Sequence, residues 1–514
     1  MDERNPEFIR KMTWLPFLRQ FYICSGETIL HFCYGLYFGS PTVFIPQIRK
    51  EANTTDIISL EMESWLSSSL TSYAGVPWTI ILPIMAFYYG RRAPAIFLWI
   101  LVLISTMILF YSTTITEIII CQLIIGVLPG AIVTVSIMIY TEYTSPKYRG
   151  VFLTVKAATF FWGIWFANVI GAFFYWKNIA IVMFVCCALS STIFFWPESP
   201  MWLASKGRFD ECALVHRWLN GHDPGSEKEL SSLIKLHKAK LSNVNEKKSI
   251  KNEFKKYMEA IKMKTFYKPI LLSVLTGLLY ICSGKLACSA YAITIIKKIT
   301  TSEEAAYNGM LILDGFTILG MYVGCVLSKY FKRRALLLYT SLFEILFLLI
   351  LSLYLYLIKL SVITENQYFT IVLLTIFSTA VSCGPIILGP CICGELAPVK
   401  YRSLYFSLGA IVMSILIATS IKITPFLFDN LGMHIVFLLS GLSTSVVIIL
   451  VYKYLPETKD KTVPEIHRLI VENAIELPEE SAEEKMYVFK AINDGDARNS
   501  YLAIEGDCIE KQDV

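Results

Sequence analysis

Six ionisable side chains stand where the surrounding chain is almost wholly apolar: Glu27, His31, Lys156, Lys285, Asp314 and Glu344. Charge is costly inside hydrocarbon, so residues of this kind are kept for pairing with one another, for moving protons or for meeting a polar solute. Glu27 and His31 are four apart and share a helical face. At a rise of 1.5 Å per residue, Glu27 and Lys156 both lie about 8–10 Å from one surface, close enough in depth to meet. Lys285 and Asp314 lie roughly 8–12 Å from the other surface and are expected to meet in the same way. Each pair reads as a buried ion pair that fixes helix packing or as a functional group. A paired charge is the usual way a buried ion is tolerated. Glu344 has no evident partner.

The elements that carry these charges are membrane spans. The chain has 514 residues, of which 55% are hydrophobic and 17% charged. A soluble domain is about 25% charged, so that class is excluded. A net charge of only +5 gives nucleic-acid binding no electrostatic support. Stretches of roughly 20 apolar residues, each enough to cross a bilayer, fall near 20–46, 64–88, 94–114, 118–141, 151–175, 178–196, 269–293, 309–330, 335–358, 368–394, 403–427 and 434–455. The domain plan is therefore a cytoplasmic N-terminus (1–19), a six-helix half (20–196), a polar linker with short helices (197–268), a second six-helix half (269–455) and an acidic tail (456–514).

The linker holds 15 basic and 9 acidic residues, and the first loop, 47–63, holds 2 and 4. The positive-inside rule then places the linker and both termini in the cytoplasm. No cleavable signal peptide is expected, because the charged N-terminus leads into a helix too long for one. Asn53-Thr54-Thr55 is a glycosylation acceptor in the first loop, on the outer side of this topology. Lys422, near the outer end of span 11, is expected to snorkel. The 13 cysteines form no C-x-x-C pair and sit mostly in apolar runs, as packing residues rather than disulfides or metal ligands. No cofactor or metal is implied. No nucleophile–base pair or phosphate loop is visible, so the chain does not read as an enzyme.

Short charged motifs recur at matching helix ends of the two halves. Arg91-Arg92 follows span 2 and Arg333-Arg334 follows span 8. Glu142, with Arg149 seven residues on, follows span 4; Glu395, with Arg402, follows span 10. Glu198 follows span 6 and Glu457 follows span 12. Three matched pairs make the halves internal repeats. Carboxylate–guanidinium bonds across these helix ends can latch the halves together at the cytoplasmic face in the outward-open state, and breaking them lets the halves rock.

These motifs resemble the sugar-porter branch of the major facilitator superfamily, the facilitative glucose transporters and, more closely, the insect trehalose-transporter-like proteins. The family's PESPRWL reads Pro197-Glu198-Ser199-Pro200-Met201-Trp202-Leu203, and its PETKGKT reads Pro456-Glu457-Thr458-Lys459-Asp460-Lys461-Thr462. Ser64-Trp65 before span 2 is similar to the insect branch. The likeness runs over about residues 20–465. It implies an all-α membrane protein of twelve transmembrane helices in two six-helix halves, the major facilitator fold, with a cytoplasmic central loop.

The resemblance also maps a solute path. The family's span-7 QQLSG reads Tyr280-Ile281-Cys282-Ser283-Gly284, followed by Lys285 and, where the family has Asn, Leu286; Tyr291 lies further along the same path. The span-5 Gln falls on Ala157, the span-10 Trp on Pro390 and the span-11 Asn on Met413. Most sugar-binding amides are thus replaced by apolar residues, which cannot partner desolvated hydroxyls. The acid before each family GRR is Phe87 or Lys329, and the Arg of PESPRWL is Met201. Proton-driven relatives pair a span-1 acid with a span-4 Arg; Gly35 and Gln122 stand in those places, which favours passive transport, with Glu27–His31–Lys156 as a substitute proton site.

The expected function is facilitative transport of a sugar or similar small polar solute by alternating access, in the plasma membrane, with the solute and the lipid bilayer as partners. Two alternatives stand beside it. One is a carrier of organic anions, for which Lys285 is the natural contact. The other is a non-transporting receptor whose acidic tail (Glu476 to Glu484) binds a cytoplasmic partner.

Overall fold

The computed structural model describes residues 6–52, 58–242, 259, 261–300, 303–398, 401–459, 461 and 463–472. Every regular element among them is helical. Ten helices are long and apolar enough to cross a membrane, and eleven when Ser69–Gly75 and Trp78–Tyr89, bent by 42°, count as one. The twelfth is span 1, Pro6–Glu51, whose apolar character is diluted by Glu27, His31, Pro41 and Pro46. The protein is an all-α membrane protein with the twelve-helix arrangement.

Span 1 is longer than its apolar run. Its polar start docks on a linker helix, Phe209–Asn220. Arg19 donates to the Trp218 carbonyl at 2.8 Å. Gln20 donates to Leu219 O and Asn220 Oδ1 and accepts from the Ser145 amide, which starts span 5 (Pro146–Phe173). The end of the molecule that carries these linker helices is called the linker face below, and the opposite end the far face.

Several spans are interrupted where the backbone loses regular bonding. Span 4 breaks at Thr134, between Val127–Val133 and Val135–Tyr143. Span 7 runs Lys264–Cys282, breaks at Gly284 in the left-handed region (φ 74°), and resumes as Lys285–Ala290. Span 10 (Gln367–Val381 and Ile387–Leu396) has a π turn over Ser382–Ile386, where Pro385 removes a donor. Such breaks in carriers expose backbone groups or give a helix a joint.

Span 1 packs on span 5 through close backbone approach as well as through ring contacts such as Tyr34–Phe160. A Cβ on Gly35 would sit 2.1 Å from Phe160 O, and one on Gly163 would sit 2.4 Å from Phe32 O. In the second half, the tail does not start as a free solvated segment. Helix Val463–Glu472 lays Ile466 and Ile470 into the apolar core with Phe266 and Leu272, and Lys268 donates to Ile470 O at 3.2 Å. The i, i+4 spacing of the two isoleucines gives this stretch an apolar stripe that solvent cannot satisfy. The acidic run Glu476–Glu484 and the sequon residue Asn53 lie outside the described residues.

Candidate functional site

Spans 1 and 5 of the first half meet span 8 of the second through a buried polar chain. The Thr42 hydroxyl donates to Asn168 Oδ1 at 2.6 Å, and Asn168 Nδ2 donates to Asp314 Oδ2 at 2.6 Å. Asn168 is fully buried and Asp314 is 5% exposed. Asp314 lies on span 8, Glu303–Tyr330. Asn168 is a neutral amide, and its one signal in the sequence is its place in an apolar run.

Lys285 and Asp314 are brought within electrostatic influence of each other but do not form the expected ion pair. Asn168 occupies the carboxylate, and Lys285 Nζ, fully buried, has no hydrogen-bond partner.

Other cross-half contacts close the far face and the middle of the molecule. Trp165 donates to Leu311 O at 3.2 Å, and Trp162 to the Tyr322 hydroxyl at 3.2 Å. The hydroxyls of Tyr73 and Thr419 are 2.7 Å apart, joining span 2 to span 11 (Arg402–Asn430). The Lys422 ammonium lies 3.7 Å from the centroid of Trp65, across the halves, where the ring quadrupole attracts it. A space at the far face, lined by Thr42, Glu63, Ser67, Ala290 and Tyr291, measures about 10 Å³. That is room for one water-sized sphere.

The first-half charges also pair differently from expectation. Glu27 and Lys156 are both buried, but Lys156 Nζ donates to Ile132 O at 2.9 Å and lies 5.6 Å from the Tyr140 ring centroid. The Ile132 carbonyl is available because span 4 breaks at Thr134, two residues on. Glu27 accepts from the Ser136 hydroxyl, and His31 Nδ1 lies 2.9 Å from Glu27 O and 3.9 Å from its carboxylate. Glu344 is buried in span 9 (Arg333–Lys359) with neither carboxylate oxygen partnered.

The expected path residues are mostly self-contained. Ser283 donates to Tyr280 O and accepts from the Lys285 amide, bracketing the break at Gly284. Tyr280 is partly buried, while Leu286 and Tyr291 are buried; the Tyr291 hydroxyl donates to Ile421 O at 3.0 Å. Met413 lies against Gly277, holding span 11 on span 7. Ala157 and Pro390 keep exposed surface.

At the linker face the expected carboxylate–guanidinium bonds form, but within each half. Arg91 makes two bonds to Glu142, at 2.8 and 2.7 Å, and Ser199 donates to the same carboxylate. Arg333 pairs with Glu395 in the matching place. Glu198 accepts from the amides of Arg91 and Arg92, and Glu457 from those of Arg333 and Arg334. The guanidinium groups of Arg92 and Arg334 donate to Phe194 O and Tyr452 O.

Arg149 donates to Thr141 O and Thr144 O, and Arg402 lies over Phe406. No carboxylate–guanidinium pair among the described residues joins the halves at this face. The Glu142 and Glu395 carboxylates are each held by an arginine of their own half. Spans 5 and 8 stay linked further toward this face through Thr154 and Cys325. Gly150, Gly394 and Gly409 face open space.

Residues 30–470 match the family model described as "Sugar (and other) transporter". The chain is 25% identical over 462 residues to the facilitated trehalose transporter Tret1 of Bombyx mori, covering 88% of this chain and 86% of that one. It is 23% identical over 443 residues to Tret1 of Apis mellifera ligustica, covering 85% and 84%. The fold is similar to that of the xylose transporter XylE of E. coli in its inward-open conformation, with a TM-score of 0.67 at 13% identity over 88% of this chain and 99% of that one. With most of its length matched, its two halves built as repeats and its helix-end carboxylates seated alike in both, this chain belongs to the sugar (and other) transporter family.

Proposed function

We propose that the protein is a facilitative carrier of a sugar or similar small polar solute in the plasma membrane, working by alternating access, with the linker face cytoplasmic. The observation that carries this reading is the asymmetry of its contacts. The halves are tied by Asn168–Asp314, Tyr73–Thr419 and Trp65–Lys422 toward the far face. At the linker face, Arg91–Glu142 and Arg333–Glu395 stay within their own halves. Two halves whose ties lie mostly in the middle and toward one end suit rocking about a central site, and this arrangement fits its inward-facing member.

Passive transport is supported by the packing at Gly35. The acid that proton-driven relatives carry there has no room, since even a Cβ would press on the span-5 backbone. Gln122, in place of the arginine, donates to Leu66 O at 2.6 Å. Solute specificity rests on Tyr280, Ser283, Lys285 and the apolar positions Ala157, Leu286, Pro390 and Met413. The trehalose carriers among the relatives make a disaccharide the first solute to try. Asn53 is the proposed glycan site on the outer side.

The unpartnered Lys285 ammonium favours a second reading, a carrier of organic anions. Uptake of labelled trehalose, glucose and a panel of organic acids into proteoliposomes separates the two. Saturable sugar flux supports the first, flux of acids alone the second, and flux of neither overturns both.

A further inference from the structure

The far-face tie between Asn168 and Asp314 joins elements that must part when that face opens. Asn168 moves with spans 1 and 5, and Asp314 with spans 7 and 8, so rocking of the halves severs the bond. A carboxylate buried to this degree is costly to leave unpartnered, and hydrogen bonds to charged groups are among the stronger ones. In the same half stands a second uncompensated group, the fully buried Lys285 ammonium, with no partner in the closed arrangement. It lies on the short segment Lys285–Ala290, directly after the left-handed joint at Gly284, and Asp314 is the carboxylate whose charge acts on it.

We propose that Asp314 exchanges partners during the cycle: Asn168 of the opposite half holds it while the far face is closed, and Lys285 of its own half takes it when that face opens. The exchange leaves neither gate position with a bare carboxylate. It also gives the two partners opposite effects. Asn168 is a positioning residue that favours the closed far face, and Lys285 is one that favours the open far face. This rests on the alternating-access reading and is independent of which solute is carried.

The test needs no solute. Ser67 is buried and lines the closed far-face space, in the turn between Leu60–Leu66 and Ser69–Gly75, which carries none of the three residues. Ser67→Cys is introduced into the full chain in sealed membranes. Its modification by a membrane-impermeant maleimide is followed against the same chain without that change, which corrects for native cysteines. Asn168→Ala should raise the modification rate roughly tenfold, the worth of one hydrogen bond to a charged group. Lys285→Met should lower it by a similar factor, and the double variant should return near the starting rate.

Lys285→Gln, which removes the charge on this side chain and leaves the Asp314 carboxylate to Asn168 unchanged, should also lower it. This variant reads the same arm should Lys285→Met fail to reach the membrane. Equal shifts in one direction for Asn168→Ala and Lys285→Met, or no shift in folded Asn168→Ala and Lys285→Gln carriers, would overturn the exchange. Loss of sugar uptake with the opposed shifts intact would instead count against the solute reading alone.

Discussion

Glu198 and Glu457 hold equivalent seats in the two halves: each carboxylate accepts the first free backbone amides of the third helix of its own half. For Glu198 these are Arg91 N at 2.6 Å and Arg92 N at 3.4 Å; for Glu457 they are Arg333 N at 3.0 Å and Arg334 N at 3.1 Å. An anion there satisfies orphan donors and faces the positive end of the helix. Gly90 makes the first seat possible, because its φ of 95° suits glycine and a Cβ would sit 2.2 Å from Glu198 Oε2.

Removal of either carboxylate should therefore destabilise its own half. Glu198→Ala and Glu457→Ala should each cost about 1–2 kcal/mol, the usual worth of a lost cap with its dipole contact. Thermal unfolding of the purified carrier in detergent reads this, and Gly90→Val should cost more than Glu198→Ala. An unchanged midpoint for both glutamate variants would contradict the capping role.

Gly35 offers a sharper packing prediction. Gly35→Asp restores the acid of proton-driven relatives in sequence but not in space. It should reduce folded, surface-exposed carrier severely, since the span-1 and span-5 backbones must separate. Surface biotinylation measures this. Normal surface levels together with new pH-driven uptake would show that the position can hold a proton site after all.

Arg91 and Arg149 should differ although both lie in the same motif set. Arg91 neutralises Glu142 through two bonds, so Arg91→Ala leaves a largely buried carboxylate exposed to its own desolvation cost. Breaking one side of a buried pair costs up to about 3–5 kcal/mol, and this pair should approach the lower end. Arg149 caps only two carbonyls, so Arg149→Ala should cost about 1 kcal/mol. Unfolding midpoints of the two variants give the comparison; a larger loss for Arg149→Ala would reverse the account.

The linker dock should respond to pH. His216 is buried on the linker helix, and Asn220 Nδ2 lies 3.2 Å from its Nε2 while Asn220 Oδ1 accepts from Gln20. Burial pushes His216 below its ordinary value of 6.5, against a smaller upward pull from Glu229 and Glu227. The unfolded ring thus takes up its proton at a higher pH than the folded one. The stability of the dock is then complete above about pH 6.5 and falls as the pH drops below it. A protonated ring also cannot accept from Asn220. Hydrogen exchange in 209–220, corrected for intrinsic rates, should rise between pH 7.5 and 5.5, and His216→Gln should flatten that rise. An equal rise in both proteins would remove His216 from the explanation.

The spans and the repeat were legible because they rest on long apolar runs and on motifs repeated in matching order. The pairings within the membrane were not. Depth placed Lys285 beside Asp314 and Glu27 beside Lys156, but depth alone gives no direction around a helix. It also could not foresee that Asn168, Ser136 and the Ile132 carbonyl would compete for the same groups. Spacing singles out the acids and arginines at the linker face but does not tell an acid which arginine it meets in a given state; here Glu142 and Glu395 meet those of their own half. The docked helix Val463–Glu472 was hidden by the acidic composition around Ile466 and Ile470.

Counterflow in proteoliposomes reads the central claim most directly. Vesicles holding the purified full chain and a high internal concentration of unlabelled trehalose are diluted into trace labelled trehalose, with and without a proton uncoupler. A passive alternating-access carrier predicts a transient accumulation of label that decays as the unlabelled gradient runs down and is the same with the uncoupler present. Absence of counterflow for trehalose and for every other sugar tried, or accumulation that vanishes with the uncoupler, would contradict it.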